Sequence, residues 1–582
     1  MLRKLTLLAL VLGLAMLARS AVAEEAPPLP SRWIPDDAVI ALEVNQAKPV
    51  LDLLLDEKTL NAVISLPAYP KVTEQPNVRQ LFFGVTILEA SLGTDWKTGL
   101  RKLFRSGSVS VHPGGGALLI VEADDAALLN RLQDVLLALV KADAENKGQP
   151  GRVMSAEYKG VKAWRFGGQA MHAIVGNRLL LANRQELLQA ALDLREKPGK
   201  CLADTPAYQA ARQQAGPNAA GVAVANMEVL KQLPGVQKLL EPNENPMATL
   251  LFAGVTESLR GSTWLGFALG VEGDKLVLKA AADGKSPDAA GTASFALPTP
   301  DQGAFPQLNV PRRIAAFSFY RNLHDFYAAK DTLFPDRTSG LIFFENMMGI
   351  FFTGRDLTDE VLAEAEPQIR VVVAGQKYDP AIGTPRLQIP AFGVVFRLKH
   401  PQQFHEVAEE AWQKALGLVN FTRGQQALPG MILDRPMHGD LQFTVAYFAA
   451  PKEGEKTDVD SRYNLRPALA MPGDYMILSS TEVLARDLID AVKQEAEAKT
   501  QPRFAAHSLV DVDGGLLTAL IKANRENMVG QNMVEKGNTR EQAEGEIDML
   551  ISLVGLLGGA KLEVASPQGG SRATLEVTLH RQ

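Results

Sequence analysis

The stretch Gly176-Asn177-Arg178-Leu179-Leu180-Leu181-Ala182-Asn183 is followed at helical spacing by Leu187, Leu188, Ala191 and Leu192. Its pattern returns as Gly473-Asp474-Tyr475-Met476-Ile477-Leu478-Ser479-Ser480, followed by Val483, Leu484, Leu488 and Ile489. In both places a Gly-Asn or Gly-Asp turn leads into a short apolar strand, and a polar residue, Asn183 or Ser480, stands ready to cap the next helix. Self-similarity of this kind constrains a fold more tightly than composition does, because a unit written twice must bury its apolar face twice.

The correspondence keeps its order in both directions. Pro35-Asp-Asp-Ala-Val-Ile-Ala-Leu matches Pro311-Arg-Arg-Ile-Ala-Ala-Phe-Ser, Leu81-Phe82-Phe83 matches Ile342-Phe343-Phe344, and Gly93-Thr-Asp95-Trp96 matches Gly354-Arg-Asp356-Leu357. The apolar run Leu118 to Val121, with Asp124 as a helix cap, pairs with Val394 to Phe396, where Pro401 opens the helix. Val222 to Asn226 pairs with Leu509 to Asp513, and each copy then closes on a capped helix and a hairpin alternating about glycine. We therefore expect tandem lobes at 31–282 and 310–582, joined by a Gly-, Ser-, Ala- and Pro-rich linker at 283–309. The insertion from Ala449 to Leu465 is expected as an exposed loop of the second lobe. Strands that meet mostly through hairpins, with helices between some of them, predict an α+β fold with a predominantly antiparallel sheet in each lobe.

Arg3 and Lys4 precede an apolar run from Leu5 to Ala18, and Ala21-Val22-Ala23 follows. That is the layout of a secretory signal peptide over residues 1–23, too short to span a bilayer comfortably. The expected destination is the periplasm or the extracellular space, as a soluble, not a transmembrane, protein after cleavage. With 46% hydrophobic and 22% charged residues the chain has the composition of a globular protein. A net charge of −6 spread over 582 residues leaves no basic footprint for nucleic acid. Cys201 is the single cysteine, so no disulfide forms within the chain.

The paired Gly-x-Asp at Gly93 and Gly354, the strand lead-in Tyr158-Lys-Gly160-Val161 and the repeated Gly-x-x-Leu/Met-Leu/Ile-Leu strand resemble an uncharacterised family of exported bacterial proteins, a domain of unknown function built from such half-units. In the second half Met437-His438-Gly439-Asp440 replaces the Tyr158 lead-in. The resemblance implies a fold and an exported location, and no catalytic residues.

Candidate chemistry is sparse. The eight histidines lack ligand spacing, and His400 with His405 and Glu406 near the Pro401 helix start offers no third arm of a metal site. Asp458, Asp460, Asp511 and Asp513 lack the distal ligands of a calcium loop. Asp95 and Asp356 read as helix caps, and Gly114-Gly115-Gly116 as a hairpin. No Gly-x-Ser-x-Gly elbow is present, and Cys201 has no histidine context. No catalytic residue, cofactor or metal is expected, and the partner is unknown.

Leu341-Ile-Phe-Phe-Glu-Asn-Met-Met-Gly-Ile-Phe-Phe stands apart. As a helix it stacks Phe343, Met347 and Phe351 on one strip and Phe344, Met348 and Phe352 on the next. So wide an apolar face is expected in the core, or else as the wall of an apolar ligand groove or an interface with an envelope protein or lipid. The function expected is that of a non-enzymatic envelope protein with a binding or structural role. A carrier or chaperone for lipid or apolar segments is the first alternative and an unrecognised hydrolase the second. A cavity of a few hundred Å³ lined by Phe and Met favours the carrier.

Overall fold

Each strand predicted from period-two alternation finds antiparallel neighbours in the computed structural model, which describes residues 29–64, 69, 73–166, 168–216, 219–241, 244–284, 294–450, 459–567 and 570–579. The signal peptide expected at 1–23 lies outside the described residues, as do 285–293 of the expected linker and 451–458 of the insertion. The described residues divide into two compact units, the first holding those up to Leu239 with Ser262–Asp283, the second holding Leu240–Gly261, Gly284 and those from 294 onward.

The first unit contains β1 (Ile40–Val44), β2 (Ser106–His112), β3 (Gly116–Glu122), β4 (Val153–Tyr158), β5 (Val161–Phe166), β6 (Met171–Val175), β7 (Arg178–Ala182), β8 (Gly221–Asn226), β9 (Trp264–Glu272) and β10 (Lys275–Ala282). They pair antiparallel in the order β10-β9-β8-β1-β2-β3-β7-β6-β5-β4.

The second unit contains β11 (Gly303–Ala304), β12 (Arg313–Tyr320), β13 (Ala365–Ala374), β14 (Ala391–Leu398), β15 (Ile432–Asp434), β16 (Met437–His438), β17 (Leu441–Gln442), β18 (Thr444–Tyr447), β19 (Ala468–Ala470), β20 (Tyr475–Ser479), β21 (Arg503–Phe504), β22 (Ala506–Asp513), β23 (Leu557–Ala565) and β24 (Ser571–Leu579). Its sheet runs β24-β23-β22-β12-β13-β14-β20-β19-β18-β15, again antiparallel throughout. β11 pairs with β21, and β16 with β17, as separate small ribbons. The fold class is α+β.

Register follows the same course in both sheets. Across the first, Ala280, Phe267, Ala223, Leu42, Val109, Leu119, Leu181 and His172 are successive cross-strand partners. Across the second, the rung reads Leu575, Leu562, Val510, Phe317, Val371, Val394, Leu478 and Leu469. Gly176 and Gly473, both at positive φ (61° and 58°), make the turns that start β7 and β20.

One face of each sheet is closed by the predicted amphipathic helix. Leu118, Ile120 and Leu180 pack against Leu188, Ala191 and Leu192 of the helix Gln185–Glu196, with Leu187 at the margin. Val395 and Ile477 pack against Leu484, Leu488 and Ile489 of the helix Glu482–Glu497. Burying a leucine or isoleucine of this kind contributes about 1.5–3 kcal/mol.

Several local expectations are corrected. Asp125, not Asp124, caps the helix Ala126–Asn146, accepting from the Leu128 N–H at 2.8 Å. Asn183 instead ties the β2–β3 hairpin, accepting from Ala117 N–H (2.7 Å) and donating to the Gly115 carbonyl (2.9 Å). The cap after β20 is Thr481, while the Ser480 hydroxyl accepts from the Phe392 N–H. Residues 294–309 are packed rather than linking, since Phe295, Ala296, Phe305 and Leu308 are buried.

The helix Pro246–Gly261 belongs to the second unit, so the lobe expected at 31–282 loses 240–261. Arg321, 1% exposed, explains the shift, because its guanidinium donates to the Leu250 carbonyl (2.6 Å) and the Leu251 carbonyl (2.7 Å) as well as to that of His507 (2.8 Å). The insertion is anchored at its end by buried Asn464, which accepts from the Ile389 N–H and donates to the Leu387 carbonyl.

Candidate functional site

Between the sheet of the second unit and the helices on its other face lies an apolar pocket of about 450 Å³. Its floor is Phe396 and Leu398 of β14, Leu469 of β19, and Met476 and Leu478 of β20. The alternation of the strands places these side chains opposite Val395 and Ile477, which face the Glu482–Glu497 helix.

One wall is the helix Pro401–Gln425, which presents Phe404, Ala408, Ala411, Trp412 and Ala415 along one stripe. Pro401 sits in its first turn, where no N–H is needed. The three alanines put methyl groups where longer side chains would meet the sheet, and that is where the space arises. The opposite wall is Met348, Phe351 and Phe352 from the helix Thr338–Phe351 and its end, together with Leu357, Val361 and Leu362. Gly354 (φ 77°) turns the chain back, and Asp356 caps the following π-helical turn by accepting from the Asp359 N–H at 2.7 Å. Every side chain lining the pocket is apolar save for the indole N–H of Trp412. That N–H is shut from solvent and meets no acceptor.

Of the six residues marked by the sequence, Met348, Phe351 and Phe352 line the pocket. Phe344 meets the Tyr327 ring at 6.4 Å, and Phe343 and Met347 point outward. Core burial of this helix was the ordinary expectation, and it does not hold: Phe343 is 71% exposed, with Ile342 and Ile350 also more than half exposed. The helix packs through Met348, Phe351 and Phe352 and leaves Ile342, Phe343 and Ile350 uncovered. The floor residues and the alanine stripe were missed; the signal for the latter is Ala408, Ala411 and Ala415 at helical spacing beside Phe404 and Trp412.

Charged groups stay at the margin. Lys414 pairs with Glu410 (3.1 Å) and donates to the Thr353 hydroxyl, and Thr353 and Lys414 hold the Glu410 carboxyl below its ordinary range. Lys330 pairs with Glu345 at 3.3 Å. Burial pushes the Tyr327 phenol up to about 12.

The remaining candidates serve structure. Asp95 caps the helix Trp96–Leu103, accepting from the Thr98 N–H, and Asp513 caps the helix Gly514–Ala523. Gly114 and Gly115 turn the β2–β3 hairpin. His400 meets Glu364 at 3.1 Å while His405 is exposed, and among the described residues no three His, Cys, Asp or Glu side chains are placed to hold a metal ion. Cys201 is buried with its Sγ 3.0 Å from Asp204, and burial pushes its thiol up.

One constellation has the connectivity of a hydrolytic relay. His112 bridges the Ser110 hydroxyl (Nε2, 2.9 Å) and the Asp37 carboxylate (Nδ1, 2.7 Å). Ser110 is 0% exposed in the middle of β2, with strands paired on both sides, so no carbonyl can approach its oxygen.

Residues 114–305 match the model of a family described as a protein of unknown function, DUF3352. The resemblance drawn from Tyr158-Lys-Gly160-Val161 and the Gly176 strand is thus shown over that stretch. No curated protein matches the chain. Among solved structures, crystal forms IV and III of TP0453 are similar at 10% and 8% identity, covering 44% and 46% of this chain and 79% and 81% of theirs. Their TM-scores of 0.24 and 0.23 carry no argument about this fold.

Proposed function

We propose that this chain is an exported, non-catalytic carrier in the cell envelope, whose second unit holds a single apolar chain from a lipid or an apolar segment. The pocket of about 450 Å³, lined by Phe, Met, Leu, Val and Ala, is the observation that carries this reading. Ligand pockets fall in the range of about 300–1,000 Å³ and are mostly apolar. The leader at 1–23 supports export. The recurrence of strand order and register supports descent of the two units from one duplicated half, with the pocket lying in the second.

Native mass spectrometry of the chain purified from its own envelope fraction tests the proposal. A bound lipid or other apolar molecule is expected, released by Ala411→Trp, which fills the pocket. A wild-type protein that carries nothing and fails to bind a pyrene-labelled hydrocarbon added to it sinks the reading.

A further inference from the structure

The helix Thr338–Phe351 turns one face to the pocket, through Met348 and Phe351, and another to solvent. On the outer face Ile342, Asn346 and Ile350 follow one another at four-residue spacing, with Phe343 and Met347 on the strip beside them, and all five are exposed. A water-facing helix surface ordinarily carries charge. This one carries none. Glu345, the single charged residue of the helix, stands on the packed side with Leu341 and Met348 and pairs with Lys330 at 3.3 Å. The feature recurs in the first unit, where Leu81, Phe82 and Phe83, which the sequence pairs with Ile342, Phe343 and Phe344, are exposed on the helix Pro76–Leu92.

We propose that this outer face docks on a lipid bilayer, with Ile342, Phe343, Met347 and Ile350 inserted among the acyl chains, and that the pocket behind it takes its cargo from that bilayer. This rests on the carrier reading and states where the carrier loads. Area separates a membrane from a second copy of the chain. At about 150–250 Å² for a whole large side chain, the exposed parts of these four offer on the order of 400 Å², half of the roughly 800 Å² that each partner of a stable protein pair contributes. A bilayer sets no such minimum, because each apolar side chain gains by inserting singly. The cargo argues the same way. Each methylene that enters water lowers the population about fourfold, so a chain of about ten reaches a pocket through open water roughly a millionfold less readily than along an apolar contact. A helix with one face on the cargo and the other on the bilayer supplies that contact.

Co-sedimentation with phosphatidylcholine vesicles, in the wild type and in Phe343→Ser with Ile350→Ser, tests the docking. The wild type should bind equally in low and high salt, since the face holds no charge to screen, and the double variant should bind at least about tenfold more weakly. A wild type that stays off the vesicles, or that high salt releases, overturns the proposal. Uptake of a pyrene-labelled hydrocarbon from the vesicles should slow about tenfold in the variant. Its affinity for the same probe in solution should stay that of the wild type, because neither residue lines the pocket. Probe uptake without vesicle binding removes the docking and leaves the carrier, whereas vesicle binding by a wild type that takes up no probe removes the carrier and leaves the docking. A wild-type dimer that the double variant dissociates gives the face to a second copy and overturns the proposal. Should the double variant not fold, Asn346→Cys carrying a polarity-sensitive dye reads the same contact, Cys201 being buried. Its emission should move to the blue with vesicles, and unchanged emission overturns the docking.

Discussion

The first unit closes the second face of its sheet with side chains, and the second unit leaves that face hollow. In the first, Leu51, Leu55 and Phe104 are buried against Val121, with Leu119 and Leu179 packed beside them. In the second, the matching rungs offer Val394, Phe396 and Met476, covered by helices that leave about 450 Å³ unfilled. Counted from the starts of their helices at Ala126 and Pro401, Leu136, Leu137 and Val140 of the first unit stand where Ala411, Trp412 and Ala415 stand in the second. His172 occupies the place of Leu469. Leu136 is itself 38% exposed, so the face of the first unit is closed by Leu51, Leu55 and Phe104 rather than by that helix; the same ladder can be a packed domain or a container, and the elements laid over its second face decide which.

The sharpest way to break this comparison is to give the second unit the first unit's side chains. Ala411→Leu with Ala415→Val should take up about a third of the pocket and reduce binding of a pyrene-labelled hydrocarbon at least tenfold, about 1.4 kcal/mol or more. The protein should stay folded, because the added methylenes enter space rather than a packed core. Undiminished binding with both substitutions in place puts the ligand elsewhere.

The second unit holds one buried arginine, Arg370, against the Glu495 carboxylate and another, Arg321, without any carboxylate. Arg178 of the first lies against the Glu122 carboxylate at 2.7 Å, whereas Arg321 of the second is held by carbonyls and the Ser508 hydroxyl. Burial lowers the Arg321 guanidinium to about 10, so it stays charged at neutral pH. Arg321→Ala leaves several carbonyls without donors and should cost about 3 kcal/mol in urea unfolding, at about 1–3 kcal/mol per orphaned group less the relief of burying a charge. A loss below the error of such a measurement would mean that water replaces the guanidinium.

Acid probes the first unit through His172 and the second through His507. Burial holds His172 at about 4; burial, aided by the Arg321 charge, holds His507 at about 3. Both are neutral in the folded state where the unfolded chain, near 6.5, already takes up a proton. The unfolded state thus binds more protons between about 6.5 and those values, and stability falls as pH drops through that window. Each histidine should contribute a slope approaching about 1.4 kcal/mol per pH unit, reaching lower for His507. His172→Leu, which copies Leu469, should flatten the acid dependence of the first unit between pH 6 and 4.5. Denaturant midpoints that fall equally in variant and wild type would refute this role of His172.

Much of the fold was legible because it is written in local chemistry. Gly93 and Gly354 take positive φ (66° and 77°), and Asp95 and Asp356 cap the helical turns after them, as their spacing predicts. The sequence matches slip by one residue where alternation is weak: pairing Pro35 with Pro311 sets Leu42 against Ser318, whereas the rungs set it against Phe317. Long-range facts were not legible. That 240–261 joins the second unit depends on Arg321 reaching the Leu250 carbonyl, and no pattern near either residue announces it. The pocket escaped for a related reason, because Ala411 and Ala415 look like ordinary helix formers until the structure sets them across open space from the sheet.

The smallest expected effect separates the two caps. Asp95 starts an eight-residue α-helix, Trp96–Leu103, while Asp356 starts a five-residue π turn, Leu357–Val361, whose two ends both line the pocket. Removing either carboxylate leaves a helix-terminal N–H without its acceptor and should shift the folded-to-unfolded ratio about fivefold. Only the second should reach the ligand. A short turn has few other hydrogen bonds to hold it, so Asp356→Ala should loosen Leu357 and Val361 and weaken hydrocarbon binding about two- to fivefold, on the order of the cap energy itself. Asp95→Ala should destabilise the protein to a similar degree and leave the affinity unchanged. Titration of both variants with the pyrene-labelled hydrocarbon, alongside thermal unfolding, reads the two effects separately. Equal losses of affinity would show that the pocket responds to stability at large, and the contrast between a packed unit and a containing one would then lose its structural basis in the Leu357–Val361 turn.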